Sequence, residues 1–273
     1  MIRAALILGF VGNVALSAQS PVPVSSARSF EVASIKQNVS DDTRTYFSPT
    51  PGIRWLNVSL RTLIVRAYEI PVSAERFTLQ GGPDSLLALR FDVSANEPEG
   101  TPSGQTMAML RTLLADRFNL RIHREMRQMP IYALTVAREG TLGPNLRRSS
   151  LDCAAFAAAG GKRGDATAPR SADGQELCVG DRITGAVLTL QHAGPLAQLV
   201  TRAQGFVDRP VVNATGLAGS YDWRIAFSLR DQIDSTMPSI YTAIREQLGL
   251  RLEPRTGPVE VLVIDSVERP TPD

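Results

Sequence analysis

Leu60-Arg-Thr-Leu-Ile-Val-Arg-Ala-Tyr-Glu-Ile70 and Leu110-Arg-Thr-Leu-Leu-Ala-Asp-Arg-Phe-Asn-Leu120 begin with the same four residues and stay conservative over most of the rest. Both carry apolar side chains at helical spacing: Leu60, Leu63, Ile64, Ala67 and Tyr68 in the first, Leu110, Leu113, Leu114 and Phe118 in the second. Self-similarity of this kind points to a chain assembled from repeated supersecondary units. A third helix of similar character is expected around Leu196, Leu199, Val200 and Ala203, and a fourth through Ile240, Ala243, Ile244 and Leu248. The exit of the fourth, Leu248-Gly-Leu-Arg-Leu252, echoes Phe118-Asn-Leu-Arg-Ile122.

Working outward, each helix is followed by strand-like segments. The clearest are Arg90 to Ala95, Ile131 to Ala137, Tyr221 to Leu229 and Val259 to Val267. Turn chemistry at Gly81-Gly82-Pro83, Gln128 to Pro130, Gly216 to Gly219 and Thr256-Gly257-Pro258 is expected to separate them. Phe30 to Lys36 reads as a first strand, and Ile53 to Val58 and Ile183 to Leu190 as strands that precede the first helix of each half. Short connections favour antiparallel hairpins over parallel crossovers. The expected fold is α+β: two duplicated halves, 30–150 and 180–273, each with two helix–strand–strand units whose helices pack on antiparallel sheet. Residues 151–179 form an insert between the halves.

The start of the chain carries an address. Arg3 is followed by an apolar run from Ala4 to Leu16, and Ala15-Leu16-Ser17 places small residues where a signal peptidase reads. Residues 1–17 are therefore expected to be a secretory signal, with an uncleaved N-terminal anchor as the alternative, and residues 18–29 a flexible lead-in. No other stretch is apolar enough to span a membrane. The expected location is secreted or periplasmic. In that oxidising setting Cys153 and Cys178 are expected to be bridged.

Net charge is only +2 over 273 residues, which gives no electrostatic case for nucleic acid. Of 29 basic side chains only Lys36 and Lys162 are lysines, and the arginines are scattered rather than gathered into a binding patch. Sequons at Asn38, Asn57 and Asn213 carry little weight.

Tests for chemistry return no catalytic residue, cofactor or metal assignment. No Gly-x-Ser-x-Gly elbow is present. His123 is a weak candidate site with Arg121 and Arg124; neighbouring cations, Arg127 included, are expected to depress its pKa. His192, at a strand end before Gly194-Pro195, reads as a helix-entry residue. Asp92, Asp222 and Asp265 each fall in a closing strand, and duplication should hold the equivalent positions apart rather than pair them. Asp41-Asp42, Asp231 and Asp234 are too sparse for calcium. Gly160-Gly161-Lys162 lacks the spacing of a phosphate loop.

Several words of this chain resemble a family of exported soil-bacterial proteins, abundant in acidobacteria, whose domain has no assigned function. They include Phe30-Glu-Val-Ala-Ser-Ile-Lys36, Gly81-Gly-Pro-Asp84, Arg90-Phe-Asp-Val93, Met109 through Phe118, His123-Arg-Glu125 and Tyr132-Ala-Leu134. The second half adds Arg209-Pro-Val-Val212, Thr215 through Asp222, Gln247-Leu-Gly-Leu250 and Val259 through Asp265. Ser85 replaces a common aromatic, and Asn213-Ala-Thr-Gly216 departs from the family's usual Asp-Lys-Thr-Gly. The resemblance implies no catalytic residues and, by genomic neighbourhood with antibiotic-sensor metallopeptidases, hints at envelope sensing. The functional expectation is an exported non-enzymatic binding or sensing module for an envelope protein or small ligand. An exported hydrolase with an unfamiliar site is the alternative, and a purely structural secreted protein is a third reading.

Overall fold

A computed structural model describes residues 29–270, apart from 43, 49–51, 103, 152, 163, 172, 173, 175, 179 and 230–236. The expected signal, the lead-in through residue 28, and Asp231 and Asp234 lie outside the described residues. In chain order come β1 (Val32–Gln37), β2 (Tyr46–Phe47), β3 (Ile53–Ser59), α1 (Leu60–Ala67), α2 (Glu75–Thr78), β4 (Leu79–Gly81), α3 (Asp84–Leu87), β5 (Arg90–Asn96), α4 (Thr106–Phe118) and β6 (Arg121–Val136). Then follow β7 (Leu146–Arg148), α5 (Cys153–Ala158), β8 (Arg182–Thr184), β9 (Val187–Pro195), α6 (Ala197–Ala203), a 3-10 turn at Gln204–Phe206, β10 (Val211–Asn213), β11 (Ser220–Ser228), α7 (Ile240–Leu248) and β12 (Leu250–Ser266).

The helix starts and stops follow from local chemistry. Ser59 caps α1 by accepting the Thr62 N–H at 3.1 Å, and Ser239 caps α7 by accepting that of Thr242 at 3.3 Å. At their far ends α4 and α7 stop on left-handed residues, Asn119 (φ 47°) and Gly249 (φ 67°). Each turns the chain straight into a long strand, which is the structural content of the echoed exit sequences. In the repeated Leu-Arg-Thr-Leu words the leucines are buried in both helices, and the two helices pack on each other. Their arginines diverge: Arg61 pairs with Asp84 at 3.0 Å, whereas Arg111 donates to the Ala67 carbonyl at the end of α1 at 2.8 Å.

The strands form three four-stranded sheets, ordered β1-β5-β3-β2, β7-β11-β9-β8 and β10-β6-β12-β4. The architecture is α+β. Helices α1 and α4 close one core against the first sheet, with Phe91 and Phe118 edge to face at 5.2 Å. Helices α6 and α7 close a second core against the β7-β11-β9-β8 sheet, where Phe206 meets Phe227 at 5.2 Å. β7, which precedes residue 150, pairs with β11 and so belongs to this second terminal sheet. Ile183–Leu190 is not one strand but part of a hairpin, with β8 and β9 joined through Gly185 (φ 58°) and Ala186.

The two cores are tied by the β6–β12 ribbon. β6 starts at the first core, beside Leu120 and Ile122, and ends in the second with Leu134. β12 runs the other way, from Leu250 in the second core to Leu262 and Ile264 in the first. Each end gains one short parallel strand: β10 beside Tyr132–Leu134 and β4 beside Leu262–Ile264. These two parallel pairings correct the expectation of hairpins alone. The reason is that β4 and β10 each pair with the long strand of the opposite half, a long-range contact that no local connection dictates.

The expected turns at Gln128–Pro130 and Thr256–Pro258 are a second correction, because both segments lie within unbroken strand. Tyr132 donates its N–H to the Pro210 carbonyl at 2.8 Å, away from β12. Backbone direction alternates along an antiparallel pair, so Pro130 and Gln128 face outward as well, together with their partners Pro254, Thr256 and Pro258. A proline at such a position forfeits no ladder hydrogen bond. The units after α4 and α7 are accordingly one long strand each rather than two short ones. Pro130→Ala should therefore change urea stability by less than about 1 kcal/mol, whereas Met129→Pro, one residue along, should lose about 3 kcal/mol or more. Equal effects of the two substitutions would refute this assignment of backbone direction.

Candidate functional site

Strand alternation sorts the first terminal sheet into two faces. Ile35, Ile53, Trp55, Phe91, Val93 and Ala95 point into the core. The opposite face presents Ser34 and Lys36 from β1, Tyr46 from β2, Arg54 and Leu56 from β3, and Asp92 and Ser94 from β5. These side chains, with Phe47 at the edge, line a groove of about 460 Å³. Leu56 is 51% exposed and Tyr46 44%, so the groove has an apolar wall open to solvent.

A bulge shapes one end of the groove. β3 carries an extra residue between Trp55 and Val58, and Asn57 takes it up with φ 56°. Asn57 is only 3% exposed. Its Nδ2 donates to the carbonyls of Arg44, at 2.9 Å, and Asp42. Its own carbonyl accepts from Arg90 Nη1 at 2.7 Å and Thr45 Oγ1 at 3.0 Å. Its backbone N–H, freed from the ladder, donates to Asp92 Oδ1 at 2.8 Å, where Asn38 Nδ2 also donates at 2.8 Å. The second Asp92 oxygen accepts nothing from a described residue. Lys36, cross-strand from Asp92, and Arg54 form no ion pair or side-chain hydrogen bond with a described residue.

The matching face of the β7-β11-β9-β8 sheet is covered. Cys153 and Cys178 are bridged, with Cα atoms 5.1 Å apart, and their segment lies across β9. Ala193 donates its N–H to Cys153 Sγ at 3.2 Å, and Gln191 Nε2 donates to the Glu176 carbonyl at 2.8 Å. Leu177 is buried beneath. What remains is a cavity of about 140 Å³ beside Asp222, Arg147 and Arg224.

His123 lies elsewhere, on the ribbon. Its Nδ1 is 2.8 Å from Asp265 Oδ1, and its Nε2 is 3.5 Å from Glu125 Oε2. Asp265 reaches it from a second bulge, between Ile264 and Ser266. The arginines expected to depress the His123 pKa turn to other partners: Arg124 to Glu260, Arg127 to Glu125 and Gln80. Arg121 sits opposite Ser266 at the bulge. The hydrogen bond to Asp265 instead raises the His123 pKa above 6.5, and Glu125 adds to the effect. The pair is open to solvent, with His123 48% exposed, and lies outside the grooves described above.

The three carboxylates stand on three different sheets: Asp92 on the first, Asp222 on the second terminal sheet and Asp265 on the ribbon. His192 lies within β9, not at its end; its Nδ1 accepts from Arg202 at 3.4 Å and its ring is 6.0 Å from that of Trp223. Among the described residues no group of three or more His, Cys, Asp or Glu is arranged to hold a metal ion. No helix there is long and apolar enough to cross a membrane. Tyr46, Arg54, Leu56 and the clasp at Asn57 were not singled out by sequence reasoning. The alternation Ile53, Trp55 inward against Arg54, Leu56 outward is the signal that marks an apolar residue on the outer face.

Two measurements follow from these contacts. By nuclear magnetic resonance, His123 should titrate above 6.5, and Asp265→Asn should lower its midpoint. Because the folded-state pKa is raised, any stability lost in that variant belongs below the unfolded-state value and vanishes as pH rises through the folded one. An unchanged midpoint would dismiss the pairing. Replacing Cys153 and Cys178 together by alanine, which opens a loop with a sequence separation of 25, should lower unfolding free energy by about 3 kcal/mol. An unchanged urea midpoint would mean that the bridge adds nothing to the cover.

No curated protein and no solved structure matches this chain. A family model described as "Protein of unknown function (DUF3738)" matches residues 61–267, and over that span, most of its length, the chain belongs to that family.

Proposed function

We propose that this is an exported, non-enzymatic binding or sensing module that receives a small ligand on the open outer face of the first terminal sheet. The observation that carries the reading is the difference between the two terminal sheets. One outer face is covered by a disulfide-tethered segment that leaves only a small cavity, and the other leaves Tyr46 and Leu56 exposed around a groove of ligand size. Exposed apolar side chains gathered beside unpaired charges mark interaction surfaces more often than isolated ones do. Export is supported by Arg3, the apolar run and Ala15-Leu16-Ser17, and by a disulfide suited to an oxidising compartment. The shared ordering of strands in the two terminal sheets supports descent from a duplicated half, one copy of which acquired a cover.

The hydrolase reading is weaker. Among the described residues the partners of His123 are carboxylates, with no hydroxyl or thiol in contact with it. The test is a fragment screen by nuclear magnetic resonance on methyl-labelled exported protein. Binding fragments should shift Leu56 and Val93, and Leu56→Asp should abolish those shifts. Binders that ignore the face would sink the proposal, and turnover of a bound compound lost in His123→Ala would replace it with the hydrolase. N-terminal sequencing of the exported protein should begin after Ser17; a start at residue 1 would favour the anchor.

A further inference from the structure

We infer that the groove on the first terminal sheet selects an amphipathic organic anion, a compact apolar body carrying one carboxylate, sulfonate or similar head group. The inference rests on the binding reading above and adds the ligand class. Its first support is charge. The groove holds two cations, Lys36 and Arg54, that form no ion pair or side-chain hydrogen bond with a described residue. Its one carboxylate, Asp92, is already anchored through Oδ1 by the Asn57 N–H and Asn38 Nδ2. The site is thus net positive, in a chain whose overall charge is only +2. An anion entering it meets an ammonium and a guanidinium that no described residue holds in an ion pair, and the guanidinium fork suits a carboxylate or sulfonate.

Its second support is shape. Lys36 and Asp92 stand on the β1–β5 side of the face, while Tyr46 and Leu56 stand on the β2–β3 side. Arg54 and Ser94, paired across β3 and β5, form the neighbouring row with Ser34, so Arg54 stands beside Leu56 on the same strand. A ligand lying across the groove therefore meets Lys36 at one side and Leu56 and Tyr46 at the other, with Arg54 one row along within reach of its head group. A volume of about 460 Å³ fits a small molecule rather than a folded partner. The stretch of sequence just before the described residues, 18–28, contains no acidic residue and carries Arg28. It would add positive charge beside Lys36 and Arg54, so it is the poorer occupant.

The probe is 1-anilinonaphthalene-8-sulfonate, compared with its uncharged counterpart N-phenyl-1-naphthylamine, on the exported protein. The sulfonate should bind one to one with enhanced fluorescence, and Lys36→Gln with Arg54→Gln should weaken it by roughly tenfold or more. The neutral probe should bind more weakly and not respond to that double variant. Leu56→Asp, with an unchanged urea midpoint, should reduce both probes. If both probes bind equally and the double variant changes neither, the anion class is wrong while the binding face stands. If Leu56→Asp leaves both unaffected, the face itself is wrong. A tenfold gain of sulfonate binding on deleting residues 18–28 would make that segment the occupant and overturn the inference. So would a dimer dispersed by Leu56→Asp, which would make a second copy the occupant.

Discussion

The antiparallel pairing of β6 with β12 is the constraint on which the rest depends. Each strand is rooted in one core and ends in the other. Neither core is complete without a strand that leaves the opposite half: the first needs Leu262 and Ile264, the second needs Leu134. The two cores are therefore linked by exchanged strand ends rather than strung in a row. Between the two short parallel strands the ribbon has only two strands, and Met126 there is largely exposed. A two-stranded ribbon is weak by itself. It persists here because packed sheet holds both of its ends. Cross-contacts reinforce it: Arg76, in the first half, donates to the Gln204 carbonyl at 3.0 Å, and Ser73 donates to that of Thr201 at 2.5 Å.

With the cores closed on their inner faces by helices, the outer faces of the terminal sheets become the free variables of the fold. An antiparallel sheet tolerates one solvated face when that face is polar. At the second terminal sheet a cover replaces solvent: Ala193 and Gln191 are buried under the Cys153–Cys178 segment, and the Gln191 amide donates to the Glu176 carbonyl of that segment. At the first, serines and charged residues satisfy the requirement over most of the face. Tyr46 and Leu56 do not, and they are the side chains for which solvent exposure is least favourable.

How much of this was legible in the sequence varied with the range of the interaction. The helices were legible because Leu60, Leu63 and Ile64, or Leu110, Leu113 and Leu114, repeat at a spacing set within one turn. Their exits were legible because Asn119 and Gly249 supply a left-handed cap locally. The bridge followed from two cysteines and an expected address. The parallel strands β4 and β10 were not legible: three residues long, they are strands only because a distant edge accepts them. Pro130 and Pro258 misled for a related reason. A proline breaks a strand only if its missing N–H was needed, and that depends on the partner's register. The His123 environment was misread because Arg124 alternates onto the opposite face to Glu260 and Arg127, on the same face, is held by Glu125 and Gln80, whereas Asp265 comes from 142 residues away. The groove needed both faces of β3 to be assigned before Leu56 could stand out.

The two bulges decide which carboxylate is free to act. At the first, the extra residue is Asn57, and the N–H it releases goes to Asp92. That carboxylate replaces a lost ladder hydrogen bond, so its charge is spent on the backbone. At the second, the extra residue is Asp265 itself, whose side chain swings across to His123 on the exposed ribbon. There the carboxylate holds a solvent-exposed imidazole, an interaction that water and salt screen heavily. Asp92 is thus a structural anion inside a groove, and Asp265 a freer anion outside one. Among the described residues, the groups that form no ion pair where a ligand can lodge are cations, Lys36 and Arg54. That difference, created by where one additional residue falls in each strand, gives the open face its sign.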